Sequence, residues 1–338
     1  MRYPRIAAFF IFSLVLTITL TTGVLFPLQD AAAGQEVVLY SSNKQEVIDL
    51  AVTLFKEKHP DISVSVVRAG SGALMKRIAA EKDNPLGDVF WSGGFGTLGA
   101  YKDNFQPYAS PEAKGIKADF IEKDNMWTGV NIHPMVIMYN SKLVSKSELP
   151  EKWSDLFDPK WKGKVVMGNP VKSSSTYIQA YGYNKLYGEM GLKKLAAVVK
   201  NVPSTSMVYK GVAMGEYALG ITMEYAAYSY VAGGQKEIGI IYPKDGSFLS
   251  PEGVVLIKGA KNPAAAKLMY DFFCSKDAQE ALFVKSYRRP TRGDIAVDKL
   301  TDLPALQDLK YIDIDQGKAS MDHPALTKEW DRIKRSMR

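Results

Sequence analysis

Val67-Arg68-Ala69-Gly70-Ser71-Gly72-Ala73-Leu74-Met75-Lys76-Arg77-Ile78 joins an extended run to a helical one through a Gly-Ser-Gly turn. The run before it, Ile62 to Val67, alternates apolar residues with Ser63 and Ser65, as a half-buried strand does. The first N–H groups of a helix have no intrahelical partner, and the macrodipole concentrates positive charge there. Gly70 and Gly72 lack the Cβ atoms that would hold a ligand off the backbone. Strand, small-residue turn and helix start together make a seat for an anion. Ser71 also suits a plain helix cap, so the rest of the chain must decide between the two.

Working outward, Val37-Val38-Leu39-Tyr40 is a short strand ended by Ser41-Ser42-Asn43. Glu46 to Lys58 has helical spacing, with Val47, Leu50, Ala51, Leu54 and Phe55 on one face, until His59-Pro60-Asp61 breaks it. The helix opened by Ala73 ends near Asn84-Pro85, and Gly87-Asp88-Val89-Phe90-Trp91 is a third strand. Strand, helix, strand, helix, strand implies a parallel sheet with right-handed crossovers. Ligands of such sheets lie beyond the carboxyl ends of the strands. Those ends here are Ser41-Ser42-Asn43, Ala69-Gly70-Ser71-Gly72 and Ser92-Gly93-Gly94, all small and polar.

Val130 to Tyr139 reads as a long strand expected to cross into a second domain. The strand Lys164 to Gly168 then leads through Asn169-Pro170-Val171-Lys172 and Ser173-Ser174-Ser175-Thr176 into helical spacing from Tyr177 to Tyr187. That repeats the first strand, turn and helix start, and its hydroxyls exceed the one that capping needs. Leu192 to Lys200 is a further helix, and Gly220 to Glu224 a short strand before the helix Tyr225 to Val231. Tyr225 and Tyr228 share a helical face, either packing together or walling a ligand site with Glu224. Ile238 to Pro243 and Gly253 to Ile257 are strands, helices follow from Pro263 and Asp277, and the chain after Leu303 is partly helical.

A chain of 338 residues has room for about two domains. Its net charge of +7, from 43 basic and 36 acidic residues, is dispersed. Without a basic run or basic–aromatic interleaving it suits a small anion better than a nucleic acid. Arg2 and Arg5, the apolar run Ile6 to Phe26, and Ala31-Ala32-Ala33 make residues 1–33 an expected export signal, with an uncleaved anchor as the alternative. The single cysteine, Cys274, cannot form an internal disulfide and reads as a buried small hydrophobe.

Three short motifs point elsewhere and do not hold. Gly94-Phe95-Gly96-Thr97-Leu98-Gly99 matches a dinucleotide fingerprint, but a polar loop follows where a helix and an acid-ended strand are required. Ser41-Ser42-Asn43-Lys44 matches the S-x-x-K of exported serine enzymes, whose S-D-N and K-T-G partners are missing. His59, His133 and His323 each precede proline and have no metal-ligand spacing, although His133 lies on the crossing strand. No His–carboxylate–nucleophile set is visible, so no enzyme and no cofactor are expected.

Three longer segments carry a family resemblance. Asp83 to Ser92 (Asp-Asn-Pro-Leu-Gly-Asp-Val-Phe-Trp-Ser), Ser250 to Pro263 and Asp271 to Gln279 resemble the ferric-iron/phosphonate-type periplasmic binding proteins of ABC importers. The resemblance implies an α/β two-lobed Venus-flytrap fold, with mixed, mainly parallel sheets and hinge crossover strands. Lobe 1 would be residues 34–132 plus 250–300 and lobe 2 residues 133–249, with 301–338 a helical segment packing on both. It also implies a monomeric periplasmic protein that hands a small anionic ligand to a membrane permease. A sensor lobe feeding a receptor, or a serine hydrolase, are the competing roles.

Ferric-binding members use a His after the first strand, a Glu after the third, and adjacent tyrosines. Here those positions hold Asn43, Ser92-Gly93-Gly94 and the split pair Tyr225-Ala226-Ala227-Tyr228. Iron held by Tyr225 and Tyr228 with a synergistic anion is therefore the alternative. The leading expectation is a phosphorylated or phosphonate compound. Its phosphoryl group would meet Ser71, Gly72 and Ala73, with Ser42 and Asn43 completing the shell and Ser92 a further ligand contact. Ser173, Ser174, Ser175 and Thr176 would close from the second lobe. Glu224, Tyr225 and Trp91 would contact the organic remainder, and Arg292 would balance charge.

Overall fold

A computed structural model describes residues 35–337; the expected export signal lies outside them. The first sheet forms as the alternation requires: β1 (Glu36–Ser41), α1 (Gln45–Lys58), β2 (Ser63–Arg68), α2 (Ser71–Ala80) and β3 (Val89–Gly94) follow one another. β1 pairs in parallel with both β2 and β3. α1 buries Val47, Ile48, Ala51 and Phe55, a helical stripe that needs an apolar sheet beneath it.

After β3 the structure departs from the expected loop: α3 (Phe95–Ala100) is a short helix. β4 (Phe105–Gln106), β5 (Thr128–Asn140), β6 (Val165–Met167), α4 (Ser174–Val198) and β7 (Lys200–Asn201) come next. Then follow α5 (Thr205–Ala213), β8 (Leu219–Met223), α6 (Glu224–Ala232), β9 (Ile238–Ile241), β10 (Ser247–Ile257), α7 (Pro263–Cys274) and α8 (Lys276–Ser286). β11 (Arg289–Pro290), β12 (Tyr311–Ile312) and α9 (Gln316–Ser336) complete the described chain. α9 packs on α3 and α4. Gly96 faces Tyr177 and Ala319, and Gly99 faces Ser320, so the glycines of the apparent dinucleotide fingerprint serve helix packing.

α4 fuses the two helices expected over 177–187 and 192–200. They abut at Gly188, whose φ of 63° breaks the helical path and suits glycine. α5 had no counterpart in the sequence reading. β10 starts at Ser247, earlier than expected, because Phe248 is drawn in to stack on Trp153 at 4.8 Å.

β5 does cross. Its first part, as far as Pro134, pairs antiparallel with β10, and its last part, from Met135, pairs with β8 and β9. β10 lies between β5 and β3. The described strands thus run β2-β1-β3-β10-β5-β8-β6-β7, and β5 belongs to both halves. Two prolines sit in this ladder, Pro134 opposite Leu249 and Pro251 opposite Ile132, and neither has an N–H to donate. Separate cores flank the halves. Val37, Leu39, Phe55 and Phe273 pack on one face of the first sheet, and Tyr40, Leu74, Phe90 and Leu98 on the other. Trp153, Tyr177, Leu192, Ile221 and Trp330 fill the second half. Cys274 is buried in the first, as expected, and burial pushes its thiol pKa up.

Candidate ligand-binding site

The loops at the carboxyl ends of β1 and β2 face the segments that lead into α4, α5 and α6 across a cavity of about 670 Å³. Ser42, Asn43 and Lys44 come from the first loop, and Arg68 to Ala73 with Lys76 from the second. Val171 to Ser175, Pro203 to Ser206, Tyr209 and Tyr225 form the opposite wall, and β10 contributes Glu252. This is the crevice that strand direction predicts for an open α/β sheet.

The two expected anion seats meet each other. Ser71 Oγ accepts a hydrogen bond from the Ser174 N–H at 2.8 Å, and the Gly72 N–H donates weakly to the Lys172 carbonyl at 3.4 Å. A Cβ on Gly70 would lie 2.7 Å from the Lys172 carbonyl oxygen, and one on Gly72 would overlap that of Val171. The glycines therefore let two backbones approach, and of the N–H groups expected to hold a phosphoryl group Gly72 turns weakly to Lys172 while Ala73 donates to the Gly70 carbonyl at 2.9 Å. Ser71 itself is buried. Ser173 Oγ caps α4 by accepting from the Thr176 N–H. Ser173 and Ser175 also share hydroxyl contacts of 2.9 and 3.4 Å with Thr205.

Charge sits on the wall around them. Lys44, Arg68, Lys76 and Lys172 line the cavity, and among the described residues Glu252 is its single acidic side chain. Lys44 Nζ lies 4.2 Å from the centre of the Tyr209 ring. Burial, followed by repulsion from Arg288, brings the Lys44 ammonium down to about 8. Arg68 Nε donates to the Asn43 carbonyl at 2.9 Å. The Asn43 side chain is 3% exposed, and its Nδ2 has no partner among the described residues. A buried amide donor left unpaired is costly unless something else accepts from it.

The floor is a buried network. Glu252 Oε2 lies 3.1 Å from His133 Nε2 and 3.6 Å from Arg288 Nη1. Burial holds the His133 pKa down. Nε2 also lies 3.3 Å from Arg288 Nη1, so it donates to Glu252 in one tautomer and accepts from Arg288 in the other. Arg288 Nη2 donates to the Tyr225 hydroxyl at 3.0 Å, and its guanidinium carbon sits 4.1 Å from the centre of that ring. β5, β10, α6 and the segment after α8 each supply one member.

Ser42, Asn43, Ser71, Gly72, Ala73, Ser173, Ser174, Ser175 and Tyr225 thus share the cavity wall. The remaining expected residues do not. Trp91 is fully buried and stacks on Phe273 at 4.3 Å, because β3 is covered on both faces. Ser92, at a φ of 91°, sits one step behind the wall, its Oγ accepting from the Ser42 N–H at 3.0 Å. Thr176 turns away toward Gly168. Glu224 is taken up by Arg289, at 2.5 and 2.9 Å, and by the Tyr242 hydroxyl at 2.6 Å. Arg292 pairs with Asp294 and donates to the Cys274 carbonyl. Tyr228 packs edge-on against Tyr287 at 4.8 Å. His323 lies inside α9 against Tyr177.

Lys44, Arg68, Lys76, Lys172, Thr205, Tyr209, Glu252 and Arg288 were not anticipated. The loop residues among them adjoin anticipated ones, so proximity was the available signal. Glu252 and Arg288 gave none, since only strand pairing brings them to the cleft. No group of three or more His, Cys, Asp or Glu side chains that could hold a metal ion is found among the described residues.

Two half-sheets joined by crossing strands, with a polar cavity of solute size between their loops, define a two-lobed solute-binding protein. The chain belongs to the bacterial extracellular solute-binding proteins, whose family model matches residues 84–319. It is 26% identical over 290 residues to iron uptake protein A1 of Synechocystis sp., covering 78% of each chain. It is 23% identical to a putative 2-aminoethylphosphonate-binding periplasmic protein of Salmonella typhimurium, over 70% of this chain and 72% of that one. A structure of the periplasmic binding protein AfuA from Actinobacillus pleuropneumoniae, with exogenous fructose-6-phosphate bound, is 28% identical with a TM-score of 0.82. That match covers 88% of this chain and 98% of AfuA. Family membership implies capture of a small ligand for delivery to an ABC permease, and the relatives are solute-binding proteins rather than enzymes.

Proposed function

We propose that this chain is exported by residues 1–33 and binds a small phosphorylated or phosphonate organic anion in the cleft. It would act as a monomer, without nucleic acid. In this reading residues 34–132 with 250–300 form one lobe, 133–249 the other, and 301–338 pack upon them. The observation that carries the ligand assignment is the cavity wall: four cationic side chains and the unpartnered Asn43 amide surround a space with one acidic residue. Amide, hydroxyl and ammonium donors together suit a phosphoryl group, which accepts several hydrogen bonds at once. A volume of about 670 Å³ accommodates an organic remainder as well.

Ferric iron with a bridging anion is the second reading, favoured by Tyr209, Tyr225 and Glu252 all lining the cavity. It is the weaker one. Burial raises the Tyr225 pKa despite Arg288 beside it, and Glu252 is already engaged by His133 and Arg288. A hard trivalent cation beside Lys44 and Arg288 would meet repulsion. Thermal unfolding with sugar phosphates and phosphonates tests the choice, since ligand at a hundredfold its Kd adds about 2.7 kcal/mol. Stabilisation by at least one phosphorylated compound is expected. No shift with any of them, together with a coloured tyrosinate complex on adding ferric citrate, would overturn the proposal.

A further inference from the structure

Glu252 is 5% exposed and lines the cavity. His133 and Arg288 engage Oε2, whereas Oε1 takes no hydrogen bond from any described residue. The carboxylate therefore offers the cleft one fixed acceptor, oriented from behind. Its charge is another matter. Arg288, 1% exposed, balances it at 3.6 Å. Glu224 behind the floor is itself balanced by Arg289. Lys44, which lines the same cavity, adds a further positive charge close enough to Arg288 to feel its repulsion.

An acceptor in a net-positive surrounding treats two kinds of donor unequally. A ligand hydroxyl gains the hydrogen bond to Oε1 and is indifferent to the field. A ligand ammonium gains the same bond but enters against Lys44 and Arg288, in a cavity where screening by water is reduced. A ligand with neither group leaves Oε1 unpaired, and sites built around a buried polar group discriminate steeply against that omission.

We propose that Glu252, held by His133 and Arg288, is the specificity residue of this cleft, selecting hydroxyl groups on the non-phosphoryl end of the ligand and disfavouring an ammonium there. The ligand class is then a polyhydroxylated phosphate ester and not an aminoalkylphosphonate. This rests on the phosphoryl reading above and deepens it.

Calorimetric titration of the protein with fructose 6-phosphate, ethyl phosphate and 2-aminoethylphosphonate tests it. Fructose 6-phosphate is expected to bind tightest, and 2-aminoethylphosphonate no more tightly than ethyl phosphate. Glu252→Gln should weaken fructose 6-phosphate by about tenfold or more while changing ethyl phosphate by about twofold at most. Lys44→Gln should narrow the gap between ethyl phosphate and 2-aminoethylphosphonate. Tighter binding of 2-aminoethylphosphonate than of fructose 6-phosphate by the unaltered protein overturns the specificity and leaves the phosphoryl reading standing. An equal loss for all probes in a folded Glu252→Gln protein does the same. If neither the three probes nor inorganic phosphate bind, the phosphoryl reading fails and the specificity fails with it. The ranking of probes by the unaltered protein needs no variant, so a misfolded Glu252→Gln does not protect the proposal.

Discussion

The two helix starts at the mouth of the cleft and the network on its floor contain similar polar groups and dispose of them differently. At the mouth, Ser71 and Gly72 of α2 meet Ser174 and Lys172 directly, so donor and acceptor satisfy each other. On the floor, His133 and Arg288 hold one carboxylate oxygen of Glu252, with Tyr225 in turn bonded to Arg288, and leave the other oxygen open. A cluster of hydroxyls and free N–H groups is thus no sufficient sign of a ligand seat. What matters is whether the opposing element takes them up.

The largest test of that contrast lies just behind the floor. Replacing Glu224 by Ala strands the buried Arg289 guanidinium, and breaking a buried pair in this way costs about 3–5 kcal/mol. Urea denaturation should show that loss; a folded, equally stable Glu224→Ala protein with lost ligand affinity would restore Glu224 to the ligand site. At the mouth, Gly72→Ala sets a methyl group against the Val171 carbonyl. Such overpacking costs about 1–3 kcal/mol. The contact spans the mouth of the cleft, so affinity should drop about tenfold and small-angle scattering of the liganded protein should report a larger radius. Ser71→Ala removes the acceptor of the Ser174 N–H. The expected loss is about 1 kcal/mol, equal for every ligand titrated; a loss confined to phosphorylated ligands would return Ser71 to a recognition role.

The smallest effect is a pH dependence. The Lys44 ammonium, lowered by burial to about 8, loses its charge as pH rises through that value. Affinity for phosphoryl ligands should decline about threefold between pH 7 and 9, and Lys44→Gln should flatten the profile. Stability has the opposite sign. The folded chain holds this proton less firmly than the unfolded chain does at 10.5, so the Lys44 contribution rises between about 8 and 10.5.

Much of the frame was legible because it rests on local pattern. The alternation around Gly70-Ser71-Gly72 placed the first sheet and its crossovers, and the apolar run Val130 to Tyr139 marked β5 as the strand shared by both halves. Loop positions at strand ends also carried over, which is why Ser42, Asn43 and Ser173 to Ser175 stand on the wall. What escaped depends on side chains distant in sequence. Trp91 reads as a rim residue until Phe273 covers it. Glu224 reads as a ligand contact until Arg289, 65 positions away, claims it. Glu252 and Arg288 could not be joined to His133 without knowing that β10 lies beside β5 and that the segment after α8 returns to β5.

That shared ladder has a mechanical side. His133 and Glu252, which hold the floor together, are the immediate neighbours of Pro134 and Pro251, where the ladder between β5 and β10 lacks donors. Fewer bonds resist bending at those positions than elsewhere along the pair. A solute that grips Glu252 would therefore pull on the strands where they are most easily flexed. Recognition and leverage would share one address in the molecule.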